Sequence, residues 1–452
     1  MDSRIKNMTT GSPMKLLFQF ALPLMMGNVF QQLYTAVDTA VVGKGLGVDA
    51  LAALGAADWL NWMILGMVQG LTQGFAILMA QSFGANQFEH LRKVVGNTIV
   101  LSAISAVILV ALGEAAVAPI LRLMKTPEEI MPGALVYLRI MYGGIPIVMA
   151  YNLLACILRS LGDSKTPLNA MIVASFVNIG LDLLFVLVFH WGIAGAAAAT
   201  IIAQGLSAVY CGIRVSKIEL LRLTRSHFKL DLRLSGRLFS LGSPMALQNG
   251  IIAVGGLIVQ MVVNTWGVIF IAGYTATNKL FGILEIAATS YGYAMVTYVG
   301  QNLGAGNISR IKKGVRAANG LGFATSLVIS AIMLLFGKFL LGMFLSGDPA
   351  DVSAAMSIAY EYLTVMSICL SALYYLHVIR STLQGLGNTV LPMVSGIVEL
   401  VMRLVIVLIL PGIIGQMGIF LSEVSAWFGA DIVLLISYLF TIHGISRKTE
   451  TK

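Results

Sequence analysis

Long apolar stretches alternate with short polar turns along the whole chain. Each stretch is close to the ~20 residues that a helix needs to cross the hydrocarbon core of a bilayer. One longer polar stretch, 215–235, has six apolar stretches on either side of it. We therefore predict an all-α membrane protein with twelve transmembrane helices, at about 15–40, 50–79, 94–118, 133–158, 166–189, 193–214, 238–263, 272–299, 314–345, 353–379, 390–411 and 416–443. The corresponding domains are an N-terminal six-helix lobe (1–214), a cytoplasmic linker (215–235) and a C-terminal six-helix lobe (236–452).

The two halves of the chain repeat each other. Three motifs recur in the same order: residues 21–28 as 242–249, residues 80–86 as 300–306, and residues 161–167 as 386–392. A repeat of six helices keeps its orientation in the membrane, so we expect two lobes related by a pseudo-two-fold axis along the membrane normal. Paired repeats of this kind are the usual framework for alternating access in transporters.

Composition agrees with a membrane protein. Of 452 residues, 58% are hydrophobic and 11% charged, which excludes an ordinary soluble protein. The net charge of +9 comes mainly from basic loops that we place on one side of the membrane, and Arg380 is assigned to the same side. Only Lys44, Arg122, Lys125 and Lys338 fall on the other side. By the positive-inside rule, we predict a multi-pass protein of the cell (inner) membrane with both termini in the cytoplasm, and no nucleic-acid partner.

Several kinds of chemistry find no support in the sequence. The three cysteines are scattered through apolar segments, the histidines are isolated, and no phosphate-binding GxxxxGK[ST] motif occurs. We therefore expect no enzyme activity, no cofactor and no ATP-hydrolysing module, so that energy would come from an ion gradient or a partner. The first apolar segment contains Pro23 and no small-residue cleavage pattern, so we expect it to be retained as a membrane helix.

Two acidic residues lie deep within apolar segments. Asn178 and Asp182 are four residues apart and share one helical face in the fifth segment. Asp38 in the first segment shares its face with three further polar residues, Gln31, Tyr34 and Thr35. A charge at this depth costs roughly 2.5 kcal/mol or more and usually faces a cavity or a partner. These acids either bind a proton or small cation, or are carboxylates that bond to neighbouring helices for packing.

Other residues suggest a substrate path. Polarizable methionines adapt to varied shapes, and aromatic rings attract organic cations by about 0.5–2 kcal/mol. Candidate substrate-pocket residues are Gln31, Tyr34, Tyr151, Met171 and Phe176. Glu399 and Arg403, four apart in the eleventh segment, form either a self-neutralising ion pair or a gate or relay.

The motifs together resemble the multidrug and toxic compound extrusion (MATE) family. The resemblance rests on the Gln-x-x-Gly-Ala turns, the Leu-Gly-[Asp/Asn]-x-x-x-Pro turns, and Val37-Asp38-Thr39 leading to Gly43, and it covers essentially the whole chain. It implies a V-shaped twelve-helix exporter that expels organic cations against Na⁺ or H⁺ influx.

The DNA-damage-inducible (DinF-like) branch of that family is the one that the sequence resembles. By that resemblance, the cation-coupling residues are Asp38, Asn178, Asp182 and Thr200, whose oxygens would also bind Na⁺ if Na⁺ is the coupling ion. The other prokaryotic branch carries acidic residues in the seventh and tenth helices. Here the seventh segment has none, and Glu361 lies near the outer end of the tenth.

We thus expect a monomeric secondary exporter of hydrophobic, often cationic, small molecules, working in the lipid bilayer by antiport. A flippase for lipid-linked precursors is the alternative, although it would need a strongly basic cavity, and only Arg139, Lys279 and Arg403 lie within segments. A membrane-embedded enzyme or scaffold is a third possibility, for which no nucleophile–base or metal spacing is seen.

Overall fold

The structure, a computed structural model, describes residues 4–345 and 348–450. This part of the chain is built from α-helices without strands. The helices are α1 (Pro13–Leu46), α2 (Val48–Gly84), α3 (Phe88–Leu123), α4 (Met131–Gly143), α5 (Ile145–Ser160), α6 (Lys165–Asp182), α7 (Gly192–Ser216), α8 (Leu232–Val263), α9 (Val268–Gly304), α10 (Ile308–Gly342), α11 (Pro349–Ile368), α12 (Leu370–Gly385), α13 (Val390–Ile409), α14 (Pro411–Ile414) and α15 (Gln416–Glu450). A π-helical turn, Leu183–Val188, continues α6. The all-α prediction is confirmed.

Each predicted segment corresponds to a helix or to a bent pair of helices. Within the described residues, nine helices are long and apolar enough to cross a membrane, or up to eleven if each bent pair is one span. The remaining predicted segment forms α1, a continuous helix of 34 residues. At 1.5 Å per residue this helix is about 50 Å long, enough to cross a bilayer.

The fourth and tenth segments are bent by 48° and 49°. The first bend follows from Gly144 and Pro146, because proline removes a helical hydrogen bond and clashes with the preceding turn. The second bend lies at Cys369, where neither neighbour is proline or glycine. Here the Ser330 hydroxyl donates to the carbonyl oxygen of Ser367 at 2.6 Å. A side chain that engages a helical carbonyl at a break is a recognised cause of bending.

The internal repeat is reproduced in the geometry of its turns. Gly162 and Gly387 occupy the left-handed region, with φ of 86° and 85°. The following residues, Asp163 and Asn388, donate their backbone N–H groups to the carbonyl five residues earlier, at 2.9 and 3.0 Å. The side chain of Asp163 also accepts the N–H of the residue three positions later, and that of Asn388 does the same. The two turns therefore have the same backbone conformation and the same hydrogen bonds.

The described chain forms two compact units. The first comprises Leu22–Gly250 and the described residues up to Met8, and the second comprises Thr9–Ala21 and the chain from Ile251. The first part of α8 and the predicted linker therefore belong to the first unit. Both units carry large apolar side chains on their outer faces, such as Val107 and Leu335, which are 66% and 78% exposed. Exposed apolar faces of this extent suit a lipid environment.

The linker is fixed to α3 within the first unit. The buried Asn97 amide donates to the carbonyl oxygens of His227 and Lys229 at 3.3 and 3.2 Å, and its oxygen accepts the N–H of Asp231 at 2.9 Å. The His227 ring contacts Glu89 at 2.8 Å. The long charged stretch is therefore a packed structural element of this unit.

Candidate functional site

The predicted coupling residues of the fifth and sixth segments meet where α6 packs against α7. Asn178 and Asp182 are 1% and 0% exposed, one turn apart on α6. Thr200 on α7 is 9% exposed, and the Asn178 amide lies 3.5 Å from its hydroxyl. Small side chains from Gly195 to Ala199 let α7 approach closely, since a Cβ on Gly195 would meet Phe185 at 3.0 Å. Thr200 therefore lies beside the Asn178–Asp182 pair, and its role in cation coupling stays a prediction.

The π-helical turn begins directly after Asp182. A π turn carries an extra residue and occurs frequently at functional sites. It ends in an aromatic cluster in which the ring centroids of Phe185 and Trp191 are 4.7 Å apart. The backbone N–H of Trp191 donates to the backbone carbonyl oxygen of Phe185 at 2.9 Å. This hydrogen bond holds the aromatic cluster at this end of the site.

Helix α1 runs parallel to α6 and brings Asp38 to the same level. A Cβ on Gly27 would lie 3.8 Å from Leu168, and one on Gly45 would lie 3.4 Å from Val186. The two contacts are 18 residues apart on both helices, so by interpolation a position 11 residues after Gly27 is expected opposite residue 179, between Asn178 and Asp182. Asp38 occupies that position, is 7% exposed, and interacts electrostatically with Asp182. The structure thus brings together all four predicted coupling residues.

Several oxygens at this site have no hydrogen-bond partner in the described structure. They are Oδ1 of Asp38, Oδ1 of Asn178 and both carboxylate oxygens of Asp182. Buried polar atoms are nearly always paired, and an isolated buried carboxylate is strongly unfavourable. A proton would neutralise one of the carboxylates, and a small hard cation could bind several of these oxygens, because carboxylate and amide oxygens are ligands that such cations prefer. The packing interpretation of these acids, in which neighbouring helices bond to them, does not account for the unpaired oxygens.

Tyrosines surround the acids. Tyr34 interacts electrostatically with both Asp38 and Asp182. Tyr137 on α4, which is 5% exposed, interacts with the same two carboxylates and with Tyr34. Sequence reasoning missed Tyr137, since nothing in its segment distinguishes it from an ordinary core aromatic. Tyr151 on α5 interacts with Tyr34 and so belongs to the same neighbourhood.

The other candidate substrate-pocket residues are less buried, and no hydrogen bond in the described structure joins them to the acids. Gln31 and Met171 are half-buried, on α1 and α6. Phe176 is 66% exposed, with its ring centroid 6.5 Å from that of Phe30. Thr35, which was expected on the face of Asp38, is exposed and donates its hydroxyl to the backbone oxygen of Gln31. Whether any of these side chains contacts substrate stays a prediction.

The second unit contains a buried network of charges. Glu399 and Arg403 are 3% and 5% exposed and lie 3.6 Å apart. Arg403 makes its closer contacts with Glu423 on α15, through Nε at 2.9 Å and Nη2 at 2.6 Å. Glu399 bonds instead to Arg380 on α12. The predicted Glu399–Arg403 pair is thus the centre of a four-membered chain across three helices, not a self-contained pair.

This network corrects the placement of Arg380. The tenth segment was predicted to end at residue 379, but α12 continues to Gly385 and carries Arg380 within it. Arg380 is 7% exposed, so it is a buried ion-pair partner and not a solvated loop charge. Glu423 and Asp431 on α15 were overlooked, although both are acids within an apolar segment and could have been found by the argument that identified Asp38. Asp431 interacts electrostatically with Arg380.

The coupling arrangement of the other prokaryotic branch is not assembled in the second unit. Glu361 accepts a hydrogen bond from Gln416 at 2.6 Å, near the beginning of α15. Among the residues that the structure describes, no group of three or more His, Cys, Asp or Glu side chains is arranged to hold a metal ion. Whether the paired acids of the first unit, with their amide and hydroxyl neighbours, bind a cation stays a prediction.

The comparisons with known proteins agree with this geometry. The MatE family model matches residues 23–184 and 244–409, two stretches that correspond to the internal repeat. The chain is 31% identical over 342 residues to the probable multidrug resistance protein YpnP of Bacillus subtilis, covering 76% of this chain and 77% of that protein. It is 24% identical over 340 residues to DNA damage-inducible protein F of Escherichia coli, covering 74% and 73%.

Solved structures share the fold. A MOP superfamily transporter from Pyrococcus furiosus superposes with a TM-score of 0.92 at 22% identity, over 99% of both chains. This likeness supports twelve helices in two six-helix lobes as the architecture of this multi-pass membrane protein. The match to the family model over most of its length shows that the chain belongs to the MatE family of transporters, the multidrug and toxic compound extrusion proteins.

Proposed function

We propose that this protein exports hydrophobic, often cationic, drugs or toxins from the cytoplasm by antiport with Na⁺ or H⁺. The observation that carries the proposal is the set of unpaired buried oxygens shared by Asp38, Asn178 and Asp182. Its relatives include a probable multidrug resistance protein and proteins named as multidrug export proteins. We further propose that the protein acts as a monomer in the cell membrane with both termini cytoplasmic; residues 1–3 and 451–452 lie outside the described chain.

The coupling follows from electrostatics at the site. Two carboxylates buried beside each other repel, so the pair without a positive charge is unstable in a low-dielectric interior. An entering proton or Na⁺ relieves this repulsion, and so does a cationic substrate. The site therefore favours one positive occupant at a time between Asp38 and Asp182, with Asn178 and Thr200 completing the oxygen set for Na⁺. Exchange of the two occupants across the membrane is antiport.

The flippase alternative gains no support from the structure. A site for a pyrophosphate group needs several unpaired basic side chains. Of the three basic residues within segments, Arg139 lies 3.7 Å from Glu114 and Arg403 is bonded to Glu423, which leaves the exposed Lys279. We therefore retain cation-coupled export as the single proposed function.

The test uses purified protein in proteoliposomes with ethidium as the transported dye. A Na⁺ gradient and a pH gradient are imposed separately, and dye movement against its own gradient is recorded. The wild type should move ethidium with at least one of the two gradients, whereas Asp182→Asn should move none. Asp163→Asn is the matched control, because Asp163 is an equally buried aspartate whose oxygens accept from Thr166 and Lys165. Gradient-driven transport at wild-type rate by Asp182→Asn would overturn the assignment.

A further inference from the structure

The buried charge network of the second unit contains more acids than bases. Arg380 and Arg403 are 7% and 5% exposed, and Glu399 lies between them with contacts to both. Glu423 binds Arg403 from the other side, through two contacts at 2.9 and 2.6 Å. The charges of these four side chains cancel. Asp431 adds a fifth ionisable group, which interacts electrostatically with Arg380 and Glu399.

Helix α15 places Asp431 in line with this network. Glu423, Trp427 and Asp431 follow one another at intervals of four residues, so they lie on successive turns of one helical face. The indole N–H of Trp427 donates to Glu423 at 3.2 Å, and Trp427 is 1% exposed. Asp431 is half-buried, and its Oδ1 atom is buried with no hydrogen-bond partner in the described structure.

Two guanidinium groups balance only two of the three carboxylates. Both oxygens of Glu399 and both oxygens of Glu423 lie against guanidinium nitrogens. The buried Oδ1 of Asp431 makes no such contact in the described chain. An uncompensated charge in a low-dielectric interior is strongly unfavourable, and a group in that position becomes neutral instead. The excess negative charge of the network therefore falls on Asp431.

The groups that act on Asp431 come from two neighbouring helices. Helix α15 packs against α11, α12, α13 and α14. From α12, Arg380 and Tyr375 interact electrostatically with Asp431, and from α13 Glu399 does so. Helix α14 carries no charged residue. Among the described residues, Arg380 is thus the base that acts on Asp431, and its guanidinium group is already shared with Glu399.

The remaining titratable groups on these helices are engaged elsewhere. His377 of α12 contacts Glu285 of α9 at 3.3 Å. Glu361 of α11 accepts a hydrogen bond near the beginning of α15, roughly 20 Å along that helix from Asp431. On α15 itself, Tyr438 interacts with Tyr375. These contacts leave the charge balance at Asp431 as it is.

A proton fits this position better than a metal ion does. The positive charge of Arg380 acts on Asp431 and would repel a metal ion, and the oxygens of Glu399 are occupied by guanidinium groups. The part of the chain that the structure describes has no group of three or more His, Cys, Asp or Glu side chains arranged to hold a metal. A proton needs only one carboxylate oxygen, which it converts into an O–H donor.

We propose that Asp431 is a proton-binding site of the second unit, protonated at neutral pH so that the five ionisable groups of the network carry no net charge. The proton comes from water and returns to water when the pH is raised. This site goes beyond the proposed function, because it lies in the other unit from Asp38 and Asp182 and holds its proton whichever ion drives export.

Infrared spectroscopy distinguishes the two forms of Asp431, because a protonated carboxylic acid has a C=O stretching band that a carboxylate lacks. Spectra of the full chain in detergent are compared at neutral pH. Asp431→Asn should lose the band of one carboxylic acid group per protein, and it should fold normally because an amide resembles the neutral acid. Asp351→Asn, which removes an exposed carboxylate of the same unit, should lose no such band.

A second variant tests the charge balance itself. Glu399→Gln leaves Arg380 and Arg403 opposed by Glu423 and Asp431, so Asp431 should ionise and lose its acid band although its side chain is unchanged. Comparison with the double variant Glu399→Gln, Asp431→Asn identifies that band. If Glu399→Gln does not yield monodisperse protein, the wild type is titrated to alkaline pH, where its difference from Asp431→Asn in this band should disappear.

Three outcomes would overturn the inference. One is an Asp431→Asn spectrum that keeps every carboxylic acid band of the wild type at neutral pH. The second is an Asp431 band that persists in Glu399→Gln, since burial alone would then hold the proton. The third is a wild-type band that does not respond to alkaline pH. None of these measurements involves transport, so a failure of ethidium export and a failure of this inference are distinguishable.

Discussion

The buried charge network of the second unit permits a quantitative prediction. Arg403 is 5% exposed, and its two short contacts, at 2.9 and 2.6 Å, are both with Glu423. In Glu423→Gln, Arg403 keeps only Glu399, which lies 3.6 Å away and already binds Arg380. The variant therefore leaves Glu399 as the carboxylate that contacts both guanidinium groups, while Asp431 acts electrostatically on Arg380 and not on Arg403.

Breaking one partner of a buried ion pair typically costs about 3–5 kcal/mol. At 1.4 kcal/mol per factor of ten, the equilibrium constant for unfolding should rise on the order of a hundredfold to several thousandfold. The assay is denaturation in mixed detergent micelles, followed by intrinsic fluorescence. Replacing both partners, Arg403→Met with Glu423→Met, leaves Arg380 and Glu399 balanced and should cost under ~1.5 kcal/mol, because apolar replacement of a buried pair is often neutral.

Glu114→Gln is the matched control for this experiment. It removes a carboxylate 3.7 Å from Arg139, in a pair whose side chains are 36% and 59% exposed. Exposed pairs contribute only about 0–1 kcal/mol. The reasoning is refuted if Glu423→Gln destabilises no more than Glu114→Gln. It is also refuted if the double methionine variant is as unstable as the single variant, since the loss would then come from packing and not from charge.

Two further predictions concern packing within the first unit. Gly74→Ala should destabilise the protein by about 1–3 kcal/mol, because the added Cβ would lie 2.4 Å from the backbone of Gly242. Gly55→Ala on the same helix is the control, since its Cβ would meet nothing within 4 Å and the change should be neutral or stabilising. Equal thermal midpoints for the two variants would contradict this account. Asn97→Ala should release the linker and so raise the rate of amide hydrogen exchange over residues 219–231. Lys229→Ala, which removes an exposed side chain, should leave that rate unchanged. An unchanged exchange rate in Asn97→Ala would show that other contacts hold the linker.

The helices and the repeat could be predicted from the sequence alone. Lipid requires nearly every spanning segment to be an apolar helix, and such segments are visible in the hydrophobic pattern. The bends and the π turn were not predictable in the same way. The bend at Gly144 had a readable signal in Pro146. The bend at Cys369 depends on a hydroxyl from α10, and such a tertiary contact leaves no local pattern.

Asp38 and Asp182 were predicted as coupling residues because a carboxylate in an apolar segment is conspicuous, whereas Thr200 was assigned from the family resemblance. The same signal was present at Glu423 and Asp431 and was not followed. What sequence could not supply was the partner of each acid. Glu423 is bonded to Arg403 and is neutralised, whereas Asp182 has two unpaired oxygens. Only the packing of the helices distinguishes these two states of a buried acid.

The most direct test of the central claim measures ion movement driven by substrate. Proteoliposomes are loaded with ethidium and diluted into dye-free medium without any ion gradient, and countermovement of Na⁺ or H⁺ is recorded. Coupling free energy is reciprocal, so outward dye movement must draw the coupling ion inward if the two share the Asp38–Asp182 site. The account predicts ion uptake in the wild type and none in Asp182→Asn. An equal number of ions taken up per dye molecule in both proteins would contradict it.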